Sequence, residues 1–226
     1  ATLGPSSFEE EDILSLVEAG MDVARINLSH GDRQSHYQMI DAVRRSRDIS
    51  GKGTAILLDT RGPEIRVGEL GDGVLLNKGD VVTFSNKGSG EISIPTNYAS
   101  LSQDVAAGDF ILLDDGKMRL RVLSTDDGDV NAQAIVGGLL LSRKRVSLPD
   151  VHVNLPSITD QDEADIIFGA EQGVDFIAAS FVRREEDVWE VRKVIEKAGG
   201  NQAIIAKIEN RQGVENLKEI LEAADG

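Results

Sequence analysis

No cysteine occurs in these 226 residues. That excludes a disulfide framework, a thiolate nucleophile and a cysteine-ligated metal, and it suits a cytoplasmic setting, a plastid being the other compartment that fits. Long apolar runs are missing too: none approaches the roughly 20 residues of a membrane span, and no signal peptide is visible. Positive charge is scarce, with 24 Lys and Arg against 39 Asp and Glu, a formal charge of −15 and a pI near 4.6. Such a balance argues against nucleic acid or an anionic membrane as partner. It leaves room for a small anion held by local cations. Gly51-Lys52-Gly53 and Gly137-Gly138 lack the spacing and context of a P-loop or a dinucleotide fingerprint. No internal repeat or low-complexity segment stands out. An initiator methionine is absent at Ala1, and Gly226 directly follows an expected helix, so both ends are expected to be cuts through a longer protein. What is there, 40% hydrophobic and 28% charged residues, is the composition of a soluble globular protein with one large domain or two smaller ones.

Ala1 to Leu3 reads as the tail of a strand halted by Gly4-Pro5. Ser6 or Ser7 is expected to cap a helix with Glu9, Glu10 and Glu11 near its positive end. Ile13, Leu14, Leu16 and Val17 follow at helical spacing, and Gly20 stops it. Residues 21–29 read as strand, 32–49 as helix and 54–59 as strand, the order of a parallel sheet. The rhythm then changes. From Glu64 to about Asp150 no convincing amphipathic helix is expected. Short β-prone runs at 81–84, 91–94, 110–113, 118–123 and 130–136 are separated by turn signals such as Asp72-Gly73 and Asp127-Gly128. That pattern predicts a compact all-β insertion, sandwich or barrel. The alternation returns with Thr159-Asp160 capping a helix to about 172, then strand 174–181, helix 184–198, strand 203–209 and helix 213–223. The expected fold class is α/β: a partial (β/α)8 TIM barrel of about five βα units, with an all-β domain inserted after the third strand. The expected boundaries are 1–62 and 151–226 for the barrel and 63–150 for the insertion.

Successive strand residues alternate faces. Arg25, Asn27 and Ser29 then share one face of the second strand. Asp59 and Thr60 come at the end of the third, Ser180 near the end of the fourth, and Lys207 and Glu209 share a face of the fifth. Charges are costly in the middle of a parallel sheet, whereas its carboxyl end is where α/β proteins build active sites. Polar strand tails can also simply mark entry into solvent. Four of them together, with a guanidinium, an ammonium and two carboxylates, favour an active site. Arg25 offers a planar fork for phosphate or carboxylate, and Lys207 a point charge for an oxyanion or a moving phosphoryl group. Glu209 and Asp59 are hard oxygen donors for Mg²⁺ or an alkali cation, to which Asn27 and Ser29 can add neutral oxygens. Metal-assisted chemistry on an anionic, phosphorylated substrate is expected. His30, His36 and His152 read as structural or solvent-facing. The basic island Ser142-Arg143-Lys144-Arg145 is either a solvated turn or a lid closing over nucleotide phosphates.

Six stretches, in order along the chain, resemble the pyruvate kinase family: Ala1-Thr2-Leu3-Gly4-Pro5-Ser6-Ser7, Gly20 to Gly31, Leu58 to Arg66, Leu113-Asp114-Asp115-Gly116, Asp175 to Arg183, and Ile205-Ala206-Lys207-Ile208-Glu209-Asn210. The resemblance implies a (β/α)8 A domain interrupted after its third strand by a mobile β-barrel B domain. It implies phosphoryl transfer from phosphoenolpyruvate to ADP, giving pyruvate and ATP, with Mg²⁺ or Mn²⁺ and K⁺, and a homotetramer at full length. Matched by position, Arg25 binds the substrate phosphate and Lys207 stabilises the transferring group and the enolate, with Ser180 beside them. Glu209 is one divalent-metal ligand, and Asn27, Ser29, Asp59 and Thr60 form the K⁺ site. Asn27, His30, Arg66 and Lys144 match positions associated with the nucleotide. Glu64 stands where Glu accompanies K⁺ dependence.

There are departures. Arg61 replaces a common Lys, and Arg145 and Asp150 replace residues that are often Gly, which would stiffen the lid hinge. A second metal carboxylate and the threonine implicated in protonating the enolate are expected beyond Gly226, so this chain is expected to hold half a metal site. Two rivals remain at this point: another phosphoenolpyruvate- or pyruvate-handling barrel lyase, against which the inserted domain and the Arg25 to His30 run speak, and a non-catalytic piece.

Overall fold

The computed structural model describes residues 1–149 and 151–226; the expected hinge residue Asp150 lies outside them. The chain divides into two compact units, Ala1–Pro63 with Pro156–Gly226, and Glu64–Leu155. Composition placed the second changeover after 150. The structure carries it to Leu155, because Val151, Val153 and Leu155 pack against the core of the second unit.

The first unit begins with β1 (Thr2–Leu3), α1 (Glu10–Glu18), β2 (Val23–Asn27), α2 (Arg33–Ser50) and β3 (Ala55–Asp59). Neither Ser6 nor Ser7 caps α1. Its N-cap is Glu9 with no side-chain cap, and three acids in the first turn (Glu10, Glu11, Asp12) supply the favourable charge instead. Ser7 closes a turn on Gly4, its N–H donating to the Gly4 carbonyl at 2.8 Å. Helix α2 starts as expected. The Asp32 side chain accepts from the Ser35 N–H at 2.8 Å, and Ser35 Oγ accepts in return from the Asp32 N–H at 3.0 Å. Gly51, at φ 69°, ends it.

The second unit carries β4 (Ile65–Arg66), β5 (Val74–Leu76), β6 (Val81–Phe84), β7 (Ser93–Ile94), β8 (Phe110–Leu113), β9 (Met118–Asp126), β10 (Asp129–Val136), β11 (Gly138–Leu140) and β12 (Arg145–Ser147). Seven strands join in the order β4-β12-β8-β9-β10-β6-β7, and β11 pairs with β5. One short helix, α3 (Leu101–Asp104), interrupts them where none was expected. At a single turn it is too short to leave an amphipathic pattern. Alternation is clean in β10, where Val130, Ala132 and Ala134 are buried in the unit's own core with Ile111, Leu113, Leu120 and Val82.

The first unit resumes with α4 (Asp160–Glu171), β13 (Phe176–Ala179), α5 (Glu185–Lys197), β14 (Ala203–Ala206), α6 (Arg211–Glu215) and α7 (Leu217–Ala223). The single last helix expected at 213–223 is two, divided at Asn216. The five parallel strands lie in chain order, β1-β2-β3-β13-β14, as consecutive βα units require. Ala24, Ile26, Ile56, Leu58, Ile177 and Ile204 are fully or almost fully buried. They share one core with Ile13, Val17, Ile40, Val43, Ile166, Val188 and Ile195 from the helices. In β2 the alternate residues Val23, Arg25 and Asn27 are only half-buried, so the sheet's two faces differ: one is sealed by helices, and the other bears the polar groups.

Asp187, in the first turn of α5, anchors the chain where it re-enters this unit. It accepts from Ser157 Oγ at 2.6 Å, from the Arg183 N–H at 2.9 Å and from Arg183 Nε at 3.3 Å. Burial pushes its carboxyl pKa up, but the Ser157 and Arg183 hydrogen bonds and the Arg183 charge together outweigh burial and hold it below the usual value of 3.8. A depressed folded pKa contributes stability that is present above the unfolded pKa and is lost as pH falls through the folded one. Asp187→Asn is therefore expected to lower the melting temperature at neutral pH. The difference from the parent should shrink below about pH 4, which parallel thermal melts at pH 7 and pH 3 would check.

Candidate active site

The carboxyl ends of β2, β3, β13 and β14 bring the candidate residues together, and register explains how. Asn27 pairs with Asp59, Asp59 with Ala178, and Ala178 with Ile205, so the next residues along each strand end at one level. Strand β14 stops at Ala206, which places Lys207 and Glu209 just past the strand rather than within it as expected. The pairing continues for one step beyond: the Lys207 N–H donates to the Ala179 carbonyl at 2.9 Å, and the Val182 N–H to the Lys207 carbonyl at 3.2 Å. The ladder then breaks at Phe181, whose φ is 58°. A bulky residue in the left-handed region costs about 1–3 kcal/mol and persists only where its surroundings enforce it.

Asp59 is the hub. It is 1% exposed and accepts from Arg25 Nε at 2.8 Å on one oxygen, which Arg25 Nη2 also reaches. On the other oxygen it accepts from Lys207 Nζ at 2.9 Å, with Ser180 Oγ 3.3 Å away. A buried carboxylate without such partners would be strongly unfavourable. Lys207 also donates to Ser180 Oγ at 2.8 Å and lies 3.5 Å from Glu209 Oε2. Ser180 is locked from behind. Its Oγ donates to the Thr60 carbonyl at 2.6 Å, its N–H to Thr60 Oγ1 at 3.2 Å, and Thr60 Oγ1 to the Ala178 carbonyl at 3.2 Å. Arg25 reaches Thr2 Oγ1 with its remaining nitrogen at 2.9 Å. The side chains of Arg25, Lys207 and Glu209 keep 38%, 29% and 30% of their surface exposed. Two cations thus meet solvent above a buried anion, which is what an incoming anionic ligand needs.

Asn27 and Ser29 form the turn after β2, where Asn27 Oδ1 accepts from the Ser29 N–H at 3.0 Å. The Leu28 N–H ties this turn to Asp59, donating to its carbonyl at 3.0 Å. His30 is exposed, and its carbonyl lies 2.6 Å from Nε2 of the buried His36. Arg66 and Lys144 belong to the second unit. There Arg66 Nε donates to Glu64 at 2.8 Å, and Lys144 Nζ sits 2.9 Å from Asp114. The main chains of these two basic residues are neighbours, since the Val67 N–H donates to the Lys144 carbonyl at 2.8 Å.

His36, read as structural or solvent-facing, is structural: it is buried and pins the turn after β2, at helical spacing with the buried Met39, Ile40 and Val43. Sequence reasoning passed over two further residues that shape this site. Asp162 accepts from the Gly62 N–H at 2.9 Å while completing the Thr159 capping box, and that box is readable as Thr-x-x-Asp. Phe181 carried no local signal, because nothing in an aromatic at a strand end announces a positive φ.

The oxygen donors fit hard cations. Glu209 supplies one carboxylate, and Mg²⁺ is commonly held by one or two carboxylates with water and substrate phosphate completing the shell. Among the described residues no three His, Cys, Asp or Glu side chains gather into a metal site. Asn27, Ser29, Asp59 and Thr60 are all oxygen donors around the end of β3, a set suited to an alkali cation.

Fold and site define an α/β protein with a parallel sheet whose carboxyl end gathers two cations around a buried carboxylate. The family model "Pyruvate kinase, barrel domain" matches residues 1–226. Among curated proteins, the pyruvate kinase of Staphylococcus saprophyticus is 49% identical, that of Geobacillus stearothermophilus 47%, and that of Staphylococcus haemolyticus 45%, each over 100% of this chain. The chain belongs to the pyruvate kinase family. It spans 39% of the length of these relatives.

Proposed function

We propose that the protein to which this chain belongs transfers the phosphoryl group of phosphoenolpyruvate to ADP, giving pyruvate and ATP. Family membership supports this. The single observation that carries it is the pairing of the Arg25 guanidinium and the Lys207 ammonium on the buried Asp59, with both cations partly open to solvent. In this reading Arg25 grips the substrate's phosphate with its fork, and Lys207 stabilises charge on the transferring phosphoryl group and on the enolate oxygen left behind. Ser180, locked by Thr60, holds the Lys207 ammonium in line. Catalysis is then positioning plus charge neutralisation, as phosphoryl transfer requires. A divalent cation held by Glu209, with K⁺ on Asn27, Ser29, Asp59 and Thr60, would neutralise phosphoryl oxygens when bound. His30, Arg66 and Lys144, with Asn27, are assigned to the nucleotide.

The first unit is read as part of a (β/α)8 A domain, and the all-β unit as the family's β-barrel lid. The intact protein is read as a cytoplasmic homotetramer. No helix among the described residues is long and apolar enough to cross a membrane.

The test is a coupled assay on a polypeptide of the relatives' full length that carries this sequence. Pyruvate should appear only with phosphoenolpyruvate, ADP and Mg²⁺ together. Because Glu64 occupies the position that accompanies K⁺ dependence, omitting K⁺ and similar ions should cut the rate at least about ten-fold. ADP-independent pyruvate formation would point to a lyase, and full activity without a monovalent cation would remove the K⁺ assignment.

A further inference from the structure

Phe181 is the only non-glycine residue of the first unit with a positive φ among the described residues; Asp114, Asp115, Asp127 and Arg143 all lie in the second. Rotation about its N–Cα bond sets the direction of its own N–H relative to the next one. Those two amides serve the two ends of the Lys207–Glu209 pair. The Val182 N–H donates to the Lys207 carbonyl at 3.2 Å, and the Phe181 N–H donates to Glu209 Oε2 at 3.1 Å. An ordinary extended φ at 181 would keep the first bond and turn the second amide away from the carboxylate. The surroundings enforce the turn. Ser180 is held on one side by Thr60, and Asn210 Nδ2 donates to the Phe181 carbonyl at 3.5 Å. A Cβ added to Gly62 would come within 2.7 Å of the Phe181 ring, so the Gly62 segment lies directly against it. Gly62 is itself fastened to the buried Asp162.

We propose that Phe181 is a positioning residue whose left-handed backbone, rather than its ring, delivers the amide that fixes the Glu209 carboxylate beside Lys207. The inference rests on the reading of Glu209 as a divalent-cation ligand. A carboxylate with one oxygen already oriented loses less freedom when it binds a cation, so the conformation of residue 181 sets divalent affinity before any substrate is present.

The experiment is Mn²⁺ binding, followed by the paramagnetic signal of free Mn²⁺, in the full-length polypeptide without substrate. The variants are Phe181→Gly, Phe181→Asn, Phe181→Val and Glu209→Ala. Gly and Asn tolerate the left-handed region whereas β-branched Val resists it. Gly and Asn should therefore bind within about three-fold of the parent, and Val about five- to thirty-fold more weakly. If ring packing mattered instead, Val would retain affinity and Gly would lose it, and that order overturns the inference. Glu209→Ala separates the two layers. Unchanged Mn²⁺ binding in that variant removes the ligand assignment itself, while lost binding with a flat or reversed 181 series removes only the role of Phe181. Should the Val variant fail to fold, amide exchange at Phe181 decides. It should quicken at least about ten-fold in Glu209→Ala, and an unchanged rate contradicts the proposed bond.

Discussion

Replacing Lys207 with Met is expected to lower kcat by about 10³-fold or more, with a much smaller change in the KM for phosphoenolpyruvate, in the full-length polypeptide. The size follows from what the ammonium does at each stage. In the resting site it is one of several groups on Asp59, alongside Arg25 and Ser180. Its removal leaves that carboxylate still paired, so the stability cost should be on the order of 1 kcal/mol. During transfer, charge builds on the phosphoryl and enolate oxygens, and a fixed cation there acts far more strongly than in water. A loss confined to the transition state lowers kcat and kcat/KM together. Met keeps the apolar stem and so isolates the charge. Lys207→Arg should recover only part of the rate, because a planar fork cannot sit where a point charge does between Asp59 Oδ1 and Ser180 Oγ. A kcat for the Met variant within ten-fold of the parent would reduce Lys207 to a structural partner of Asp59.

The chain exposed its sheet in sequence but not the details that make the site work. Alternating Ala24, Ile26 and Ile56, Leu58 announced strands sealed on one face, and Thr159-Asp160 marked the start of α4, whose N-cap is Thr159. Convergence of Arg25, Asp59, Ser180 and Lys207 followed because parallel strands in chain order carry their ends to one side. Strand ends were less legible. Periodicity cannot tell a paired residue from an extended one just beyond the ladder, so Lys207 and Glu209 were placed inside β14, which stops at Ala206. What unites them is the left-handed turn at Phe181, a long-range consequence of Gly62, Thr60 and Glu209 acting on one residue. The short strands β4, β5, β11 and β12, two or three residues long, are too short to show alternation. Arg66 and Lys144 could be named from sequence, but their place on neighbouring main chains depends on that unseen pairing.

Asp59→Asn is expected to produce the largest combined loss, in stability and in turnover, while leaving substrate binding intact. The carboxylate is buried and is met by Arg25, Lys207 and Ser180. An amide of the same shape has one acceptor and two donors, so at least one donor must face another donor. Breaking a buried charge network of this kind costs about 3–5 kcal/mol. In the full-length polypeptide this should appear as a clear fall in melting temperature. The effect on affinity has the opposite sign. Two cations, Arg25 and Lys207, and two carboxylates, Asp59 and Glu209, balance in the parent, so neutralising Asp59 leaves the cluster one unit more positive. The phosphate of phosphoenolpyruvate should then bind as tightly or more tightly, whereas kcat should fall about 10²-fold because both cations lose the anchor that orients them. The assigned K⁺ site also loses its only carboxylate, so activation by K⁺ should vanish even where residual turnover can be measured. Thermal melts, a KM-against-kcat comparison and a K⁺ titration on the one variant separate these effects. An unchanged melting temperature with an unchanged K⁺ response would mean that the buried carboxylate is not the anchor that its three partners indicate.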